Sequence, residues 1–146
     1  MRKKVIKDKS DESEQLARAL ADYDNLRKRV EREQEQASRV ASVRVAAKLL
    51  PVYDMLGEIQ GHLEDSGLAI AIGEFEEALG ELGVKRIEVK VGTKFDEDLH
   101  ECVEVVKKDG VGGNVIVEER QSGWVYENGM VVRAAKVVVN KSKGDK

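Results

Sequence analysis

The sequence predicts an α+β fold. We expect a long N-terminal coiled-coil-like helix, two short helices forming a dimeric four-helix bundle, and a small, mostly antiparallel C-terminal β-domain. Apolar residues recur every seven positions early in the chain, and helical spacing continues to about residue 83. From Val84 onward, valine-rich alternation and glycine clusters replace that spacing. Aromatic residues make up only 4% of the 146 residues, which favours a narrow apolar seam over a thick globular core.

These patterns divide the chain into five parts. They are a disordered basic N-terminus (1–12), a long dimerisation helix (13–61), a short helix completing the bundle (62–83), a β-domain (84–141) and a disordered tail (142–146).

The first helix has the spacing of a helix that packs along a second one. One apolar series recurs every seven residues, and another, interrupted by Glu33, lies on the companion positions. The series are Leu16, Tyr23, Val30, Ala37 and Ala19, Leu26, Val40, Ala47. With an N-cap at Ser10, Asp11 or Ser13, the helix would be roughly 70 Å long at 1.5 Å per residue. A single such helix leaves its seam uncovered, so we expect a homodimer.

Pro51 predicts a kink or a change of packing partner, because proline removes a backbone N–H and clashes with the preceding turn. Beyond it we expect two short amphipathic helices joined by a turn at Asp65-Ser66-Gly67. Two hairpins from two chains make a four-helix bundle, with Met55 and Phe75 in its core rather than in a cofactor site. The residues expected at the dimer interface are Leu16, Tyr23, Leu26, Val30, Val40, Leu50, Leu56, Ile59, Phe75 and Leu79.

The last part of the chain predicts β-strands. Alternation places them at 87–91, 114–119, 124–126 and 130–139, whereas 99–108 fits either a strand or a short helix. Asn128-Gly129 is a strong hairpin signal, since a type I′ turn needs positive φ at both central residues. A domain of about 60 residues has a marginal core, so docking on the bundle would stabilise it.

Charge and composition exclude several classes of protein. The net charge of −3 argues against a nucleic-acid binder. The basic cluster Arg27-Lys28-Arg29 is flanked by acidic residues, which favours a protein partner over RNA. No apolar run is long enough to span a membrane, so no membrane partner is expected. The single cysteine, Cys102, indicates a reducing compartment, and with no signal peptide in view we expect a cytoplasmic protein.

The sequence offers little for catalysis. His100 lies in an acidic stretch but lacks further His or Cys ligands at metal-site spacing, so we expect neither a metal nor a cofactor. Cys102 is interpreted as a small core residue. An enzyme acting through His100 and Cys102 is an alternative, but it has no third catalytic member nearby. The loop at 110–114 lacks the Lys-Ser/Thr pair of a phosphate-binding loop.

Five segments occur in the order and spacing of a known family. They are DYDNLRKRV (22–30), LLPVYDML (49–56), GVKRI (83–87), FDEDLHECV (95–103) and QSGWVYENGMVVRAAKVVV (121–139). Over Ala21 to Lys141 the chain resembles GrpE, the nucleotide exchange factor family of DnaK-type chaperones. It has Cys102 where the family usually has Ala.

The resemblance implies a parallel dimer of long helices with a bundle and a β-domain on each protomer. It implies an adenyl-nucleotide exchange factor and not an enzyme. The β-domain would bind the ATPase domain of a DnaK-type chaperone, open its nucleotide cleft and accelerate ADP release, in support of protein folding and the heat-stress response. Such a factor binds the open, nucleotide-poor state more tightly, and by linkage nucleotide weakens the complex.

Residues carry over only where they match the family. The partner-binding residues implied are Arg27, Gly123, Trp124, Met130, Arg133 and Val139. The signature residues, which we interpret as structural, are Phe95, Asp96, His100, Asn128 and Gly129. The alternative function is a coiled-coil scaffolding protein with a β-module that binds another protein. The helical seam fits both functions, whereas the ordered C-terminal motifs favour the exchange factor.

Overall fold

The structure is a computed structural model that describes the backbone of residues 2–141 and the side chains of residues 9–141. It confirms the α+β class, with a long helix, a second helix and two three-stranded sheets. The predicted disordered tail, 142–146, lies outside the described residues. The elements in chain order are α1 (Arg2–Leu63), α2 (Ser66–Glu81), β1 (Val84–Arg86), β2 (His100–Val106), β3 (Val115–Gln121), β4 (Trp124–Tyr126), β5 (Val131–Arg133) and β6 (Ala135–Asn140).

The chain divides into two compact units, Met1–Ala41 and Ser42–Lys146, and α1 contributes residues to both. In the first unit every described side chain, from residue 9 to 41, is exposed. Ion pairs between residues four apart stabilise this stretch of helix. Two of them join Lys28 to Asp24 at 2.7 Å and Arg27 to Glu31 at 2.9 Å.

Helix α1 differs from the prediction at its start and around Pro51. It begins at Arg2, because residues 2–12 contain no proline or glycine to break it. Pro51 lies inside the helix, which continues to Leu63, so residues 2–141 contain one short helix rather than two. Leu50 and Tyr53 beside the proline are both buried. Their packing stabilises a helix that proline alone would weaken.

Helix α2 has a defined cap at each end. The Asp65 Oδ1 atom accepts a hydrogen bond from the Leu68 N–H at 2.8 Å, which satisfies one of the free N–H groups of the first turn. At the other end Gly83 has a φ of +80°, and a Cβ there would lie 2.9 Å from the Tyr126 ring. Only glycine fits this exit, because both the backbone angle and the adjacent ring exclude a side chain.

The first sheet has the strand order β1-β4-β5, and all of its pairings are antiparallel. It packs on α1 and α2 in the second unit around one hydrophobic core. That core comprises Ala46, Leu50, Tyr53, Leu79, Val84, Trp124 and Tyr126.

The β4–β5 hairpin forms at Asn128-Gly129 as predicted, but its turn is not type I′. Gly129 has a φ of +87°, whereas Asn128 is not among the residues with positive φ. The Tyr126 N–H donates to the Met130 carbonyl and the Gly129 N–H donates to the Tyr126 carbonyl, each at 2.8 Å. These bonds define a three-residue loop in which a single left-handed glycine is sufficient.

The second sheet has the order β2-β6-β3, with β6 parallel to β2 and antiparallel to β3. Its core is Ile116, Ala135, Val137 and Val139, with Val89 and Phe95 packed against it. The segment 99–108, left open by the sequence, contains strand β2 and no helix.

The strand predicted at 87–91 is absent. Ile87 is buried and Val89 packs against the second sheet, whereas Val91 is exposed, so this irregular segment buries part of its apolar series without strand pairing. The Ile87 N–H donates to the Gly123 carbonyl at 2.8 Å, which holds this segment where the two sheets meet.

A buried asparagine organises the loop after β2. Asn140 is fully buried, and its Oδ1 accepts from the Lys108 N–H at 2.7 Å. Its Nδ2 donates to the carbonyls of Val111 at 3.0 Å and Gly112 at 3.1 Å. One side chain therefore satisfies backbone groups along the whole loop, which hydropathy patterns alone do not reveal.

Candidate protein-interaction surface

A polar cluster joins α1 to the first sheet in the second unit. Asp54 on α1 receives two hydrogen bonds from the Arg133 guanidinium on β5, Nη1 to Oδ2 at 2.7 Å and Nη2 to Oδ1 at 2.8 Å. Gln121 donates from Nε2 to Asp54 Oδ2 at 2.8 Å. Arg133 also donates to the Ser122 carbonyl, from Nη2 at 2.8 Å and from Nε at 3.1 Å. The bidentate geometry is the strongest form of an Arg–carboxylate contact.

Asp54 is ionised in this cluster. Burial alone would raise the pKa of its carboxyl group, but the hydrogen bonds from Arg133 and Gln121 outweigh burial and lower it below the usual value of 3.8. The carboxylate lies on the inward face of α1 beside Leu50 and Tyr53. An acidic residue on an otherwise apolar helix face is a sequence signal for a buried partner, but Asp54 is not among the site residues that the motifs implied.

A second polar cluster lies next to the first. The Tyr53 hydroxyl donates a short hydrogen bond to Glu76 Oε1 on α2, and Arg86 on β1 donates to Glu119 Oε2 on β3 at 2.8 Å. Burial, and secondarily the bond to Glu76, raises the pKa of Tyr53 to about 12. The other carboxylate oxygen of Glu119, Oε1, is buried without a hydrogen-bond partner.

A groove of about 530 Å³ borders both clusters, between α1 and strands β1, β3 and β6. Its lining carries charges of both signs, including Glu58 from α1 and Lys136 from β6. Because the groove carries charges of both signs, it has no continuous positive potential to attract the phosphate backbone of a nucleic acid. Its mixed charge suits contact with a protein instead.

The signature loop before β2 is held by its own side chains. The Nδ1 atom of His100 accepts from the Asp96 N–H at 3.1 Å, and the His100 N–H donates to the Asp96 carbonyl at 2.8 Å. Asp96 Oδ1 accepts from the Asp98 N–H at 2.9 Å, and the Phe95 ring lies 5.9 Å from the imidazole. These contacts join the backbone and side chains of the loop to one another.

Cys102 is exposed, so its prediction as a core residue is wrong. On β2 its Sγ lies 3.4 Å from the Glu104 carbonyl. Among the described residues, no group of three or more His, Cys, Asp and Glu side chains is arranged to hold a metal ion. None of the helices in that part of the chain is long and apolar enough to cross a membrane.

Sequence comparison identifies the family. A sequence model of GrpE matches residues 2–141. This chain belongs to the GrpE family. It is 34% identical over 148 residues to Protein GrpE of Francisella tularensis subsp. mediasiatica (strain FSC147), covering 95% of this chain and 75% of the relative. It is 36% identical over 138 residues to Protein GrpE of Dichelobacter nodosus (strain VCS1703A), covering 88% and 73% respectively.

A third relative, Protein GrpE of Campylobacter fetus subsp. fetus (strain 82-40), is 32% identical over 138 residues, with 88% of this chain and 78% of the relative covered. Membership in GrpE supports, in general terms, a co-chaperone role in nucleotide exchange for a DnaK-type chaperone. GrpE is a family of co-chaperones and not of enzymes.

The GrpE resemblance implied six partner-binding residues, and the structure places them in different environments. Arg27 lies in the first unit, exposed and paired with Glu31, while the other five lie in the second. Met130, just after the hairpin glycine, is 44% exposed. Arg133 is half-buried in the cluster with Asp54.

Three of the six residues offer a partner no side chain to contact. Trp124 is only 1% exposed and Val139 is buried in the second core, so neither side chain is accessible at the surface of the single chain. The Trp124 indole packs edge-on against Tyr53 with ring centroids 5.0 Å apart and donates to Ser122 Oγ at 3.0 Å. Gly123 packs its backbone tightly against Ala135.

The residues expected at a GrpE dimer interface also separate into two groups. Leu50 and Leu79 are buried in the core of the single chain, and Phe75 packs against the same core. The others remain wholly or partly exposed in the single chain, namely Leu16, Tyr23, Leu26, Val30, Val40, Leu56 and Ile59.

Proposed function

We propose that this GrpE-family chain is an adenyl-nucleotide exchange factor that acts in the cytoplasm. Residues 84–141 would bind the ATPase domain of a DnaK-type chaperone, open its nucleotide cleft and accelerate ADP release, in support of protein folding and the heat-stress response. The observation that carries this proposal is the family match over residues 2–141. The single cysteine is consistent with a reducing compartment.

The proposed exchange is driven by differential affinity. The factor binds the open form of the ATPase domain more tightly than the closed form, so its binding shifts the chaperone toward the form that releases ADP. Linkage requires the converse, that ATP binding weakens the complex and frees the factor. No covalent chemistry is needed on either protein.

We place the direct contacts at exposed side chains. The side chains of Met130 at the tip of the β4–β5 hairpin and of Arg27 on α1 are accessible. Those of Trp124 and Val139 are buried in the cores on which the sheets pack. Arg27 already has an acidic neighbour in Glu31, so an acidic group on the chaperone would compete with a solvated pair that is worth little by itself.

The working form is proposed to be a homodimer. Exposed apolar residues continue along α1 in the second unit at spacings of three and four residues, which is the pattern of a helix–helix seam. They are Val45, Leu49, Val52, Ile59 and Leu63, with the partly exposed Leu56 in the same series. In a single chain this row faces water, and a second copy would bury it.

The test is stopped-flow release of a fluorescent ADP analogue from a purified DnaK-type chaperone. We expect release to be accelerated by the wild-type protein, and Arg27→Ala to lower that acceleration about tenfold, as loss of a strong interface contact does. Arg18→Ala is the matched control, because Arg18 is also exposed and also paired with an acidic residue, Glu14.

Absence of any acceleration by a folded dimer would contradict the exchange-factor function. It would favour the scaffolding alternative, in which the β-containing unit binds another protein. Equal losses from Arg27→Ala and Arg18→Ala would contradict the assignment of Arg27 as a contact while leaving the exchange function in place.

A further inference from the structure

The Arg133 guanidinium is hydrogen-bonded within the chain, to Asp54 and Ser122. All three guanidinium nitrogens of Arg133 donate hydrogen bonds to Asp54 or to Ser122. The side chains of the pair are only 21% and 23% exposed. A partner protein that took over the hydrogen bonds that Arg133 makes to Asp54 would have to break this bidentate pair and leave Asp54 charged and half-buried, which is costly.

The pair adds a polar link between elements that also meet in the first core, where Val132 of β5 packs against the cluster that contains buried residues of α1. Strand β5 has three residues and lies at the edge of the first sheet, where β4 is its one neighbour among the described strands. The β4–β5 pairing has a register shift between Trp124 and Val125, which weakens the ladder. Arg133, the last residue of β5, ties this edge strand to α1 through Asp54.

The Ser122 side chain connects the pair to the core. Its hydroxyl accepts from Arg133 Nη2 at 3.1 Å and from the Trp124 indole at 3.0 Å. A continuous chain of hydrogen bonds therefore runs from Asp54 on α1, through Arg133 and Ser122, to Trp124 at the centre of the sheet.

We propose that Asp54 is a positioning residue for the exchange surface, and that Arg133 contributes through Asp54 and not by touching the chaperone. The pair holds β5, and with it the hairpin carrying Met130, in a fixed position on α1. This inference rests on the proposed exchange function. A hairpin that pushes the nucleotide cleft of the chaperone open must itself be held firmly by the rest of its own chain. A loosely held hairpin would move aside and leave the cleft closed.

The first arm of the experiment is a double-mutant comparison in the nucleotide-release assay. Asp54→Asn and Arg133→Gln are each expected to lower the maximal release rate about tenfold, and the double variant to lower it no further, because both remove one shared interaction. The concentration of factor giving half-maximal rate is expected to change less than the maximal rate. Arg133→Lys keeps the charge without the fork geometry and is expected to resemble Arg133→Gln.

Two results in this arm overturn the proposal. If Arg133 touches the chaperone, Asp54→Asn leaves the rate intact while Arg133→Gln lowers it. If the two residues act independently, the losses multiply in the double variant. Glu104→Gln is the matched control for removing a carboxylate paired to arginine, since Glu104 contacts Arg120 at 3.3 Å on an exposed strand and is expected to have no effect.

The second arm needs no chaperone. Amide hydrogen exchange of the hairpin, followed at the Tyr126 N–H bonded to the Met130 carbonyl, is expected to accelerate about tenfold in Asp54→Asn, because the hairpin opens locally more often. Amides of the central strand β6 are expected to be unchanged, which shows that the variant remains folded.

Unchanged hairpin exchange in Asp54→Asn overturns the positioning role whatever the release assay gives. If the wild-type protein fails to accelerate ADP release, the exchange function fails by itself. The hydrogen-exchange arm then still decides whether Asp54 fixes the hairpin.

Discussion

Gly123 lies where the chain passes from β3 to β4 and where no side chain fits. A Cβ built at this position would lie 2.5 Å from the Ala135 nitrogen, 2.8 Å from its Cα and 2.7 Å from its Cβ. Two of these atoms are backbone atoms of the junction with β6, so they have little freedom to move aside. The glycine is required for close packing of the two sheets, which accounts for its presence without any contact to a partner.

Gly123→Ala is therefore expected to lower the free energy of unfolding by about 2–3 kcal/mol through overpacking. Urea denaturation followed by the tryptophan signal measures it. Gly73→Ala is the matched control on α2, where a new Cβ meets nothing within 4 Å, and it should raise stability by about 0.5–1 kcal/mol. Equal effects from the two substitutions would contradict the packing argument.

The raised pKa of Tyr53 predicts that the stability of the fold decreases at alkaline pH in a specific way. Burial and the bond to Glu76 raise its pKa from 10.0 to about 12 in the folded protein, so the folded state retains the proton that the unfolded state has already lost. The stability contributed by the hydroxyl is complete below pH 10 and is lost as the pH rises through about 12.

The measurement is the difference in unfolding free energy between wild type and Tyr53→Phe. A difference of about 1 kcal/mol is expected at pH 8, declining steadily above pH 10. Tyr23→Phe, which changes an exposed tyrosine in the first unit, should show no such trend. If the difference in unfolding free energy does not change with pH, the Tyr53 hydroxyl has the same pKa in the folded and unfolded states.

At the scale of elements, Pro51 shows how tertiary packing overrides a helix breaker. Proline leaves the carbonyl of residue 47 without its helical partner, yet α1 continues for twelve residues to Leu63. The buried neighbours Leu50 and Tyr53 hold the helix on the first sheet, and Pro51 itself is exposed. This surface of the helix faces solvent, so water can form the hydrogen bond to the carbonyl of residue 47 that the proline removes.

We expect Pro51→Ala to stabilise the protein by about 1–3 kcal/mol, because it restores a hydrogen bond and removes a steric clash. Thermal unfolding measured by circular dichroism tests this. Lys48→Ala, one turn earlier and also exposed, is the control and should change stability by less than about 0.5 kcal/mol. A loss of stability in Pro51→Ala would mean that the proline acts mainly by restricting the unfolded chain.

The elements that the sequence predicted correctly are those with strong local patterns. The heptad spacing gave the long helix, and the Asn128-Gly129 pair gave the hairpin, although Gly129 alone takes positive φ. The segment at 87–91 was mistaken for a strand because its burial comes from packing on a neighbouring sheet, which has no local signature. The parallel pairing of β2 with β6 depends on residues more than thirty positions apart, beyond the reach of any periodicity.

The candidate site was harder to predict for the same reason. Family motifs pointed to Arg133, but its partner Asp54 lies 79 residues away, and no local pattern connects them. Trp124 and Val139 have apolar side chains that fit either a buried or a contact position. Only the three-dimensional structure shows that both are buried.

At the scale of the whole molecule, the exposed apolar row on α1 is the surface that the proposed dimer would cover. Val52 and Ile59 are both more than 40% exposed and lie seven residues apart on the same face. Residues of this size repeated at heptad spacing are uncommon on a helix that faces only water. A second copy of the chain is the partner that our proposal assigns to them.

We expect sedimentation equilibrium to show a dimer for the wild-type chain. The double variant Val52→Glu/Ile59→Glu should raise the dimer dissociation constant at least about a hundredfold, because it places charges in an apolar interface. Val91→Glu changes a valine that is also exposed but lies outside the row, and the dimer should persist. Dimerisation unaffected by the double variant would place the contact elsewhere.

The buried Trp124 has a practical consequence for spectroscopy. It is the only tryptophan in the chain, it packs against Tyr53, and it lies in the second unit, whereas the first unit has none. Its emission therefore reports on the second unit alone, while far-ultraviolet circular dichroism sums the helical content of both. Recording the two signals during one heating scan shows whether the units melt together or separately. The native chain thus supplies an optical label for one unit without any attached dye.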